Sequence, residues 1–315
     1  MKTIVPNYYP AFRCIAGACR HSCCVGWEID IDPASLSRYR AVEGEFGVRL
    51  RENIQECDGV ASFGLIGEEE RCPFLNAEGL CDLYIALGED ALCQICTDHP
   101  RFRNFFSDRT EIGLGLCCEA AGELILNQTE PVTWVVLAEE DGLVPDAEEE
   151  EFFALREEIF AVLQDRTQPV RLRLEEMLRR CGANPQQRSQ KEWAEIYLGL
   201  ERLDPAWGDR LEAWQKDPPS EPVDFFVPNE IIWEQLAVYF AFRHLADGFQ
   251  QGDLPQRAAF VARSCVVLAE LAAQIRRERG LLTPADVVEL ARMYSAEIEY
   301  SEENMSTLLE NCGGI

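Results

Sequence analysis

The chain has 315 residues, 47% of them apolar, and a formal net charge of −27. That length supplies one large domain or two smaller ones with a proper core. So acidic a chain repels the phosphate backbone, which argues against charge-led nucleic-acid binding; its field would attract a basic protein, and the equal alternative is that the acidity only keeps the chain soluble.

Pro6 interrupts the N-terminus before an apolar signal region can form, so no export signal is expected. Residues 8–31 read as extended or irregular chain carrying cysteines. Asp32-Pro33 supplies an N-cap and a first-turn proline and predicts a helix over 34–42. A second helix is expected over 45–56, then loop or short strand over 57–70. Residues 72–84 read as a small hairpin turning at 76–79, which brings Cys72 towards Cys81. A short helix over 85–92 then delivers Cys93 and Cys96. Residues 110–126 predict a helix with Cys117, Cys118 and Glu119 near its start, where the helix field favours a thiolate. Residues 132–138 predict one strand, and the acidic run 139–151 reads as a linker or loop.

Everything beyond reads as helix. Phe152, Phe153, Ile159, Phe160 and Leu163 form an apolar stripe. Helices follow over 170–181 with Gly182 as C-cap, 191–203, 205–214, 229–249, and 254–279 closed by Gly280. Thr283-Pro284-Ala285-Asp286 opens a helix running to Tyr300, and Ser301 caps a last one. No membrane span is expected, because Arg263 and Glu270 break the apolar stretch 260–275. The expected fold is mainly α. An irregular Cys-rich metal-binding unit with short hairpins covers 1–138, an acidic linker or loop covers 139–151, and an all-helical region covers 152–315.

Eleven of the fourteen cysteines lie in the first 118 residues. Thiolates are soft anionic ligands that suit zinc or an iron–sulfur cluster. A large chain without an export signal is expected in the cytoplasm, where thiols stay reduced, so metal ligation outranks disulfides. Cys93-x-x-Cys96 grips a metal from one turn, and Cys19 and Cys23 share a face when helical. The candidate ligands are Cys19, Cys23, Cys72, Cys81, Cys93 and Cys96, backed by Cys14, Cys24, Cys117, Cys118 and His99. Vicinal Cys23 and Cys24 point apart and suit two centres, or one ligand and one packed thiol. Cys57 has no partner spacing, and Cys181, Cys265 and Cys312 read as buried small apolar residues. His21 sits within the first cysteine group, and His244 reads as structural. Three histidines are too few to suggest a histidine-based hydrolase. The chain shows no Gly-x-Ser-x-Gly, P-loop or Gly-x-Gly-x-x-Gly pattern.

The run Tyr9-Pro10-Ala11-Phe12-Arg13-Cys14, then Cys19-x3-Cys23-Cys24-x-Gly26-Trp27, Cys72-Pro73-Phe74-Leu75, Leu80-Cys81-Asp82-Leu83-Tyr84 and Cys93-x2-Cys96-x3-Pro100-Arg101 resembles the bacterial flagellin lysine N-methylase family. The closing Tyr300-Ser301-Glu302-Glu303-Asn304 resembles it too. The N-terminal motifs cover residues 8–119. The resemblance implies S-adenosylmethionine-dependent N-methylation of lysine ε-amines on flagellin, with a Cys-ligated 4Fe-4S iron–sulfur cluster; zinc is the alternative metal. Methyl transfer to lysine needs a neutral amine, which an apolar pocket favours, and a group to take the proton. Trp27, Glu28, Tyr84 and Glu119 are the candidates near the cysteines. Two other readings stay open: a zinc-stabilised protein-interaction module without catalysis, and a redox or electron-transfer cluster protein. Neither nucleic acid nor membrane is an expected partner.

Overall fold

The computed structural model describes residues 1–140, 144–217 and 228–313. The chain forms two compact units. Unit one comprises Met1–Phe12, Phe102–Cys117 and Ala121–Ile315; unit two comprises Arg13–Arg101 and Cys118–Ala120. The division falls elsewhere than the expected cut at 138/139, because strands from both ends of the first 140 residues pair with each other.

Strand β1 (Lys2–Pro6) opens unit one. Unit two then supplies β2 (Asp30–Ile31), α1 (Pro33–Ala41), α2 (Gly44–Glu52), β3 (Ile54–Cys57), β4 (Val60–Phe63), α3 (Asp82–Leu87) and α4 (Gln94–Asp98). Its three strands pair antiparallel in the order β2-β4-β3. Helix α2 stops short of the expected residue 56. Asn53 ends it, and Asp58-Gly59, both at positive φ, turn β3 back on β4. Asp-Gly is a strong two-residue hairpin signal, and it is present in the sequence at the place the helix was expected to be ending. The core of unit two holds Ile29, Ile31, Tyr39, Leu50, Phe63, Phe74 and Leu83.

The chain re-enters unit one through β5 (Arg101–Phe105) and β6 (Arg109–Leu114), followed by α5 (Glu119–Leu126) and β7 (Trp134–Glu139). The sheet order is β5-β6-β1-β7, with β1 parallel to β6 and antiparallel to β7. The expected helix over 110–126 is therefore a strand in its first half. The first 138 residues hold two sheets rather than irregular chain with hairpins. Strand β6 hides its alternation because its inward positions are Glu111 and Gly113. A Cβ at Gly113 would come within 2.1 Å of the Phe102 ring, so a side chain there would have to displace that ring.

Eight helices complete unit one among the described residues: α6 (Ala147–Leu163), α7 (Val170–Arg180), α8 (Gln190–Gly199), α9 (Pro205–Lys216), α10 (Glu230–Gln251), α11 (Leu254–Arg279), α12 (Pro284–Tyr294) and α13 (Glu302–Cys312). Within the expected linker, residues 141–143 lie outside the described residues. Its later part is helical, because Asp146 caps α6 by accepting from Glu149 N–H at 2.8 Å. The stripe Phe152, Phe153, Ile159, Phe160 and Leu163 is buried as its spacing predicts. Buried Arg156 on α6 makes a bidentate pair with buried Glu111 of β6, which fastens that helix to the sheet. Gly252 and Gly280 close α10 and α11 in the left-handed conformation. Thr283 and Asp286 form a reciprocal capping box at α12. The expected run of α12 to Tyr300 is broken: a π-helical turn occupies Ser295–Glu299, and Ser301 caps α13. Helix α11 is long and apolar enough to cross a membrane, yet 83% of that stretch is buried inside the protein, as in a core helix.

Candidate functional site

Five thiols gather in unit two. Cys72 and Cys93 are buried in its core, and Cys24, Cys81 and Cys96 pack half-buried against it. The backbone brings them together. Cys72 N–H donates to the Cys24 carbonyl at 2.8 Å. The expected 72–84 hairpin narrows to a single bridge, Leu75 to Cys81, around a loop that Asn76 organises. Asn76 Oδ1 accepts from Glu78 and Leu80 N–H groups. Cys81 then serves as the cap of α3, its Sγ accepting from Tyr84 N–H at 3.5 Å, so that helix starts at Asp82 rather than 85. Asp32 accepts from Ser35 N–H and Gln94 N–H, both at 2.9 Å, and so ties the N-termini of α1 and α4 together beside Cys93. The Gln94 and Ser35 donors hold its carboxyl down to about 2. Cys93 Sγ and Cys96 Sγ lie 3.5 Å apart.

These thiols cannot all ionise unaided. The hydrogen bond between Cys93 and Cys96 pulls Cys93 down to about 7 and pushes Cys96 up. The same sharing between Cys23 and Cys24 pulls Cys24 down to about 7 and pushes Cys23 up. Burial, reinforced by repulsion from Cys24, Cys81 and Cys93, pushes Cys72 up to about 12. A bound cationic centre removes this conflict, because it stabilises every thiolate at once.

A second group forms in the same unit around Cys23. Cys14 and Cys118 are close enough to raise its pKa by charge repulsion. Cys19 has Cys118 and Glu119 as neighbours, with Sγ to Glu119 Oε2 at 3.7 Å. Cys23 and Cys24 thus face different sets, while sharing one hydrogen bond. Among the described residues, no three His, Cys, Asp or Glu side chains are arranged to hold a single metal ion. The donor chemistry of the five-thiol group is uniformly soft and fits an iron–sulfur cluster or zinc, not a hard cation. No disulfide joins the cysteines among the described residues.

The remaining candidates scatter. Cys117 is buried in unit one beside Tyr300, whereas Cys118 belongs to unit two. His99 ends α4, and burial followed by the charge of Arg101 lowers its imidazole to about 4. Trp27 is half-buried, and Glu28 and Tyr84 are exposed, where little shields an amine from water. Glu119 is buried and bound by Arg20 through its main-chain N–H at 2.9 Å and its Nε at 2.7 Å. Burial opposes its ionisation, but those contacts outweigh it and keep the carboxyl below its ordinary value. Cys57 is exposed on β3, and Cys181, Cys265 and Cys312 are buried in helical packing. Sequence reasoning missed Asp32 as a brace for two helices and Asn76 as the loop organiser. The Asn-Ala-Glu-Gly turn was the signal for the second; the first depends on a contact between distant segments.

Residues 174–313 match the family model of the FliB lysine N-methylase C-terminal domain. The chain is 26% identical over 133 residues to the lysine-N-methylase of Salmonella typhimurium strain LT2, a stretch covering 40% of this chain and 32% of that relative. The same identity over the same length relates it to the lysine-N-methylase of Salmonella choleraesuis strain SC-B67. It holds also for the flagellar biosynthetic protein FliU of Salmonella muenchen, of which 77% is covered. The chain therefore spans 32% of the lysine-N-methylases it matches. No solved structure matches it.

Proposed function

We propose, for a chain related to the flagellin lysine N-methylases and carrying their C-terminal domain, that it is a protein-lysine N-methyltransferase acting on flagellin in the cytoplasm, with S-adenosylmethionine as methyl donor. The observation that carries this reading is the domain match over residues 174–313. The thiol group supports it from the other unit. Cys72, Cys81, Cys93 and Cys96, with Cys24, would hold an iron–sulfur cluster, and Cys14, Cys19, Cys23 and Cys118 form a second set of donors. When bound, such a cluster supplies a Lewis-acidic and redox-active iron centre. Asp32 and Asn76 keep the ligand-bearing segments in place, and Phe63 and Phe74 wall them from water on the core side. The acidic exterior attracts a substrate that presents lysines, while the chain itself has only Lys2, Lys191 and Lys216.

The test is anaerobic purification, metal analysis, and incubation with S-adenosylmethionine and flagellin, followed by weighing of flagellin peptides. Brown protein with bound iron and sulfide, and methylene increments on lysine, are the expected result. Brown protein that leaves flagellin unmodified would favour a redox role, and colourless protein with stoichiometric zinc would refute the cluster.

A further inference from the structure

Unit one contains a cavity of about 300 Å³ that no part of the reading above uses. Helix α10 supplies Arg243, His244 and Asp247 to its wall; the π-turn and the start of α13 supply Glu299, Tyr300 and Met305. A π-turn inserts a residue into a helix, re-aims the side chains around it, and recurs at functional sites. Here it delivers Glu299 to the side of α10. The Glu299 carboxylate accepts from Tyr239 Oη at 2.8 Å, meets His244 Nε2 at 2.7 Å and pairs with Arg243 Nε at 3.3 Å. The Arg243 guanidinium lies against the Phe102 and Tyr300 rings, 4.9 and 4.8 Å from their centres.

This arrangement fixes the histidine tautomer. Burial opposes ionisation of Glu299, but Arg243 and then His244 outweigh it and keep the carboxyl below its ordinary value. An ionised carboxylate only accepts, so His244 donates Nε2–H to it. Burial keeps the His244 imidazole below its ordinary value and therefore neutral. Nδ1 is then a bare lone pair, buried and without a hydrogen-bond partner among the described residues. An orphaned buried acceptor is costly and calls for an explanation. A neutral imidazole on a cavity wall, held by a carboxylate at one nitrogen and with no hydrogen bond at the other among the described residues, is the arrangement of a general base.

We propose that this cavity receives an organic ammonium, the side chain of the substrate lysine, and that His244 Nδ1, backed by Glu299, takes its proton. This rests on the methyl-transfer reading above. One N–H bond of the ammonium breaks, its electron pair stays on nitrogen as the nucleophile, and the proton moves to Nδ1. The resulting imidazolium is stabilised by Glu299 and returns its proton to water at the cavity mouth; no electron changes hands. The Tyr300 ring and Met305 provide an apolar wall for the four-carbon stem, and desolvation there favours the neutral amine. Among the charges facing His244, Glu299 and Asp247 favour its protonated form and Arg243 opposes it. Arg257 lies on the cavity wall bound to Asp247 and Asp253, and Glu302 adds one further acid to the lining.

With only three histidines, the imidazole NMR signals are few, and His244→Gln assigns the one that matters. The probe is Nα-acetyl-lysine methylamide; the control is the norleucine analogue, which lacks the amine. The lysine probe is expected to shift the His244 ring signals, the norleucine analogue to leave them, and Met305→Trp, which fills the cavity, to abolish the shift. No shift, or equal shifts with both compounds, overturns the proposal whether or not flagellin is methylated. In the methylation assay, His244→Gln is expected to lower the neutral-pH rate by about 100-fold or more and to make it climb with pH as the free amine itself deprotonates. A variant that folds and keeps its rate and pH profile overturns the proposal. If His244→Gln does not fold, the NMR arm on the unaltered chain and on Met305→Trp decides. A protein that shifts as expected but never methylates lysine refutes the methyl-transfer reading and leaves the ammonium site standing.

Discussion

Glu299→Gln is the substitution whose cost can be worked out most closely from the structure. The carboxylate takes Tyr239 Oη–H on one oxygen, His244 Nε2–H on the other, and the Arg243 guanidinium beside the second. An amide keeps one accepting oxygen and turns an NH2 group towards the other donors. Arg243, whose side chain is only 11% exposed, loses its anion, which costs about 3–5 kcal/mol for a buried pair with one partner removed. A donor facing a donor adds about 1–3 kcal/mol, and the two overlap because the same groups are involved. Arg243 keeps its bond to the Glu299 carbonyl at 3.2 Å and its two ring contacts, so the net expectation is about 4 kcal/mol. That corresponds to a fall in melting temperature on the order of 10 °C. The assay is urea unfolding of both proteins at neutral and acid pH. The folded carboxyl lies below its unfolded value, so its contribution is complete above the unfolded pKa of about 4.3 and is lost as pH falls through the folded value. The gap between the two proteins should therefore be full at neutral pH and close in acid. A gap under about 1 kcal/mol at neutral pH, or one that acid leaves unchanged, refutes the reasoning.

Other substitutions test the remaining parts. Cys72→Ala and Cys93→Ala should each strip most of the bound metal and the visible absorbance, whereas Cys181→Ala, Cys265→Ala and Cys117→Ser should keep both; equal losses across the set would show that the effect is only on folding. Arg156→Met should cost about 3–5 kcal/mol by orphaning Glu111, while the double variant Glu111→Leu with Arg156→Met recovers most of it, as chemical unfolding will show. Reversing the exposed acids Glu148, Glu150 and Glu151 to lysine should raise KM for a basic protein substrate more at low salt than at high salt, and an equal rise at both would exclude steering.

The helices were legible because their signals are local. Asp32-Pro33, Thr283-Pro284-Ala285-Asp286 and Gly280 act within one turn, and an apolar stripe repeats within two. Helix α11 accordingly begins and ends where its sequence predicts. What escaped depends on partners distant in the chain. Strand β1 is a strand because β6 and β7 accept its hydrogen bonds, and β6 looked helical because its inward Glu111 and Gly113 make sense only against Arg156 and the Phe102 ring. The break in α12 is a further case, since the π-turn is justified by Glu299 reaching His244 55 residues away. Cysteine spacing marked out a thiol-rich unit and the soft metals such residues would suit, because residue type and local reach are written in the chain itself. Tertiary structure alone decided the grouping: Cys24 with Cys72, Cys81, Cys93 and Cys96, Cys23 with Cys14 and Cys118, and Cys117 in the other unit from its neighbour. Adjacent side chains leave the backbone in different directions, and only the packing of distant segments determines what each one meets.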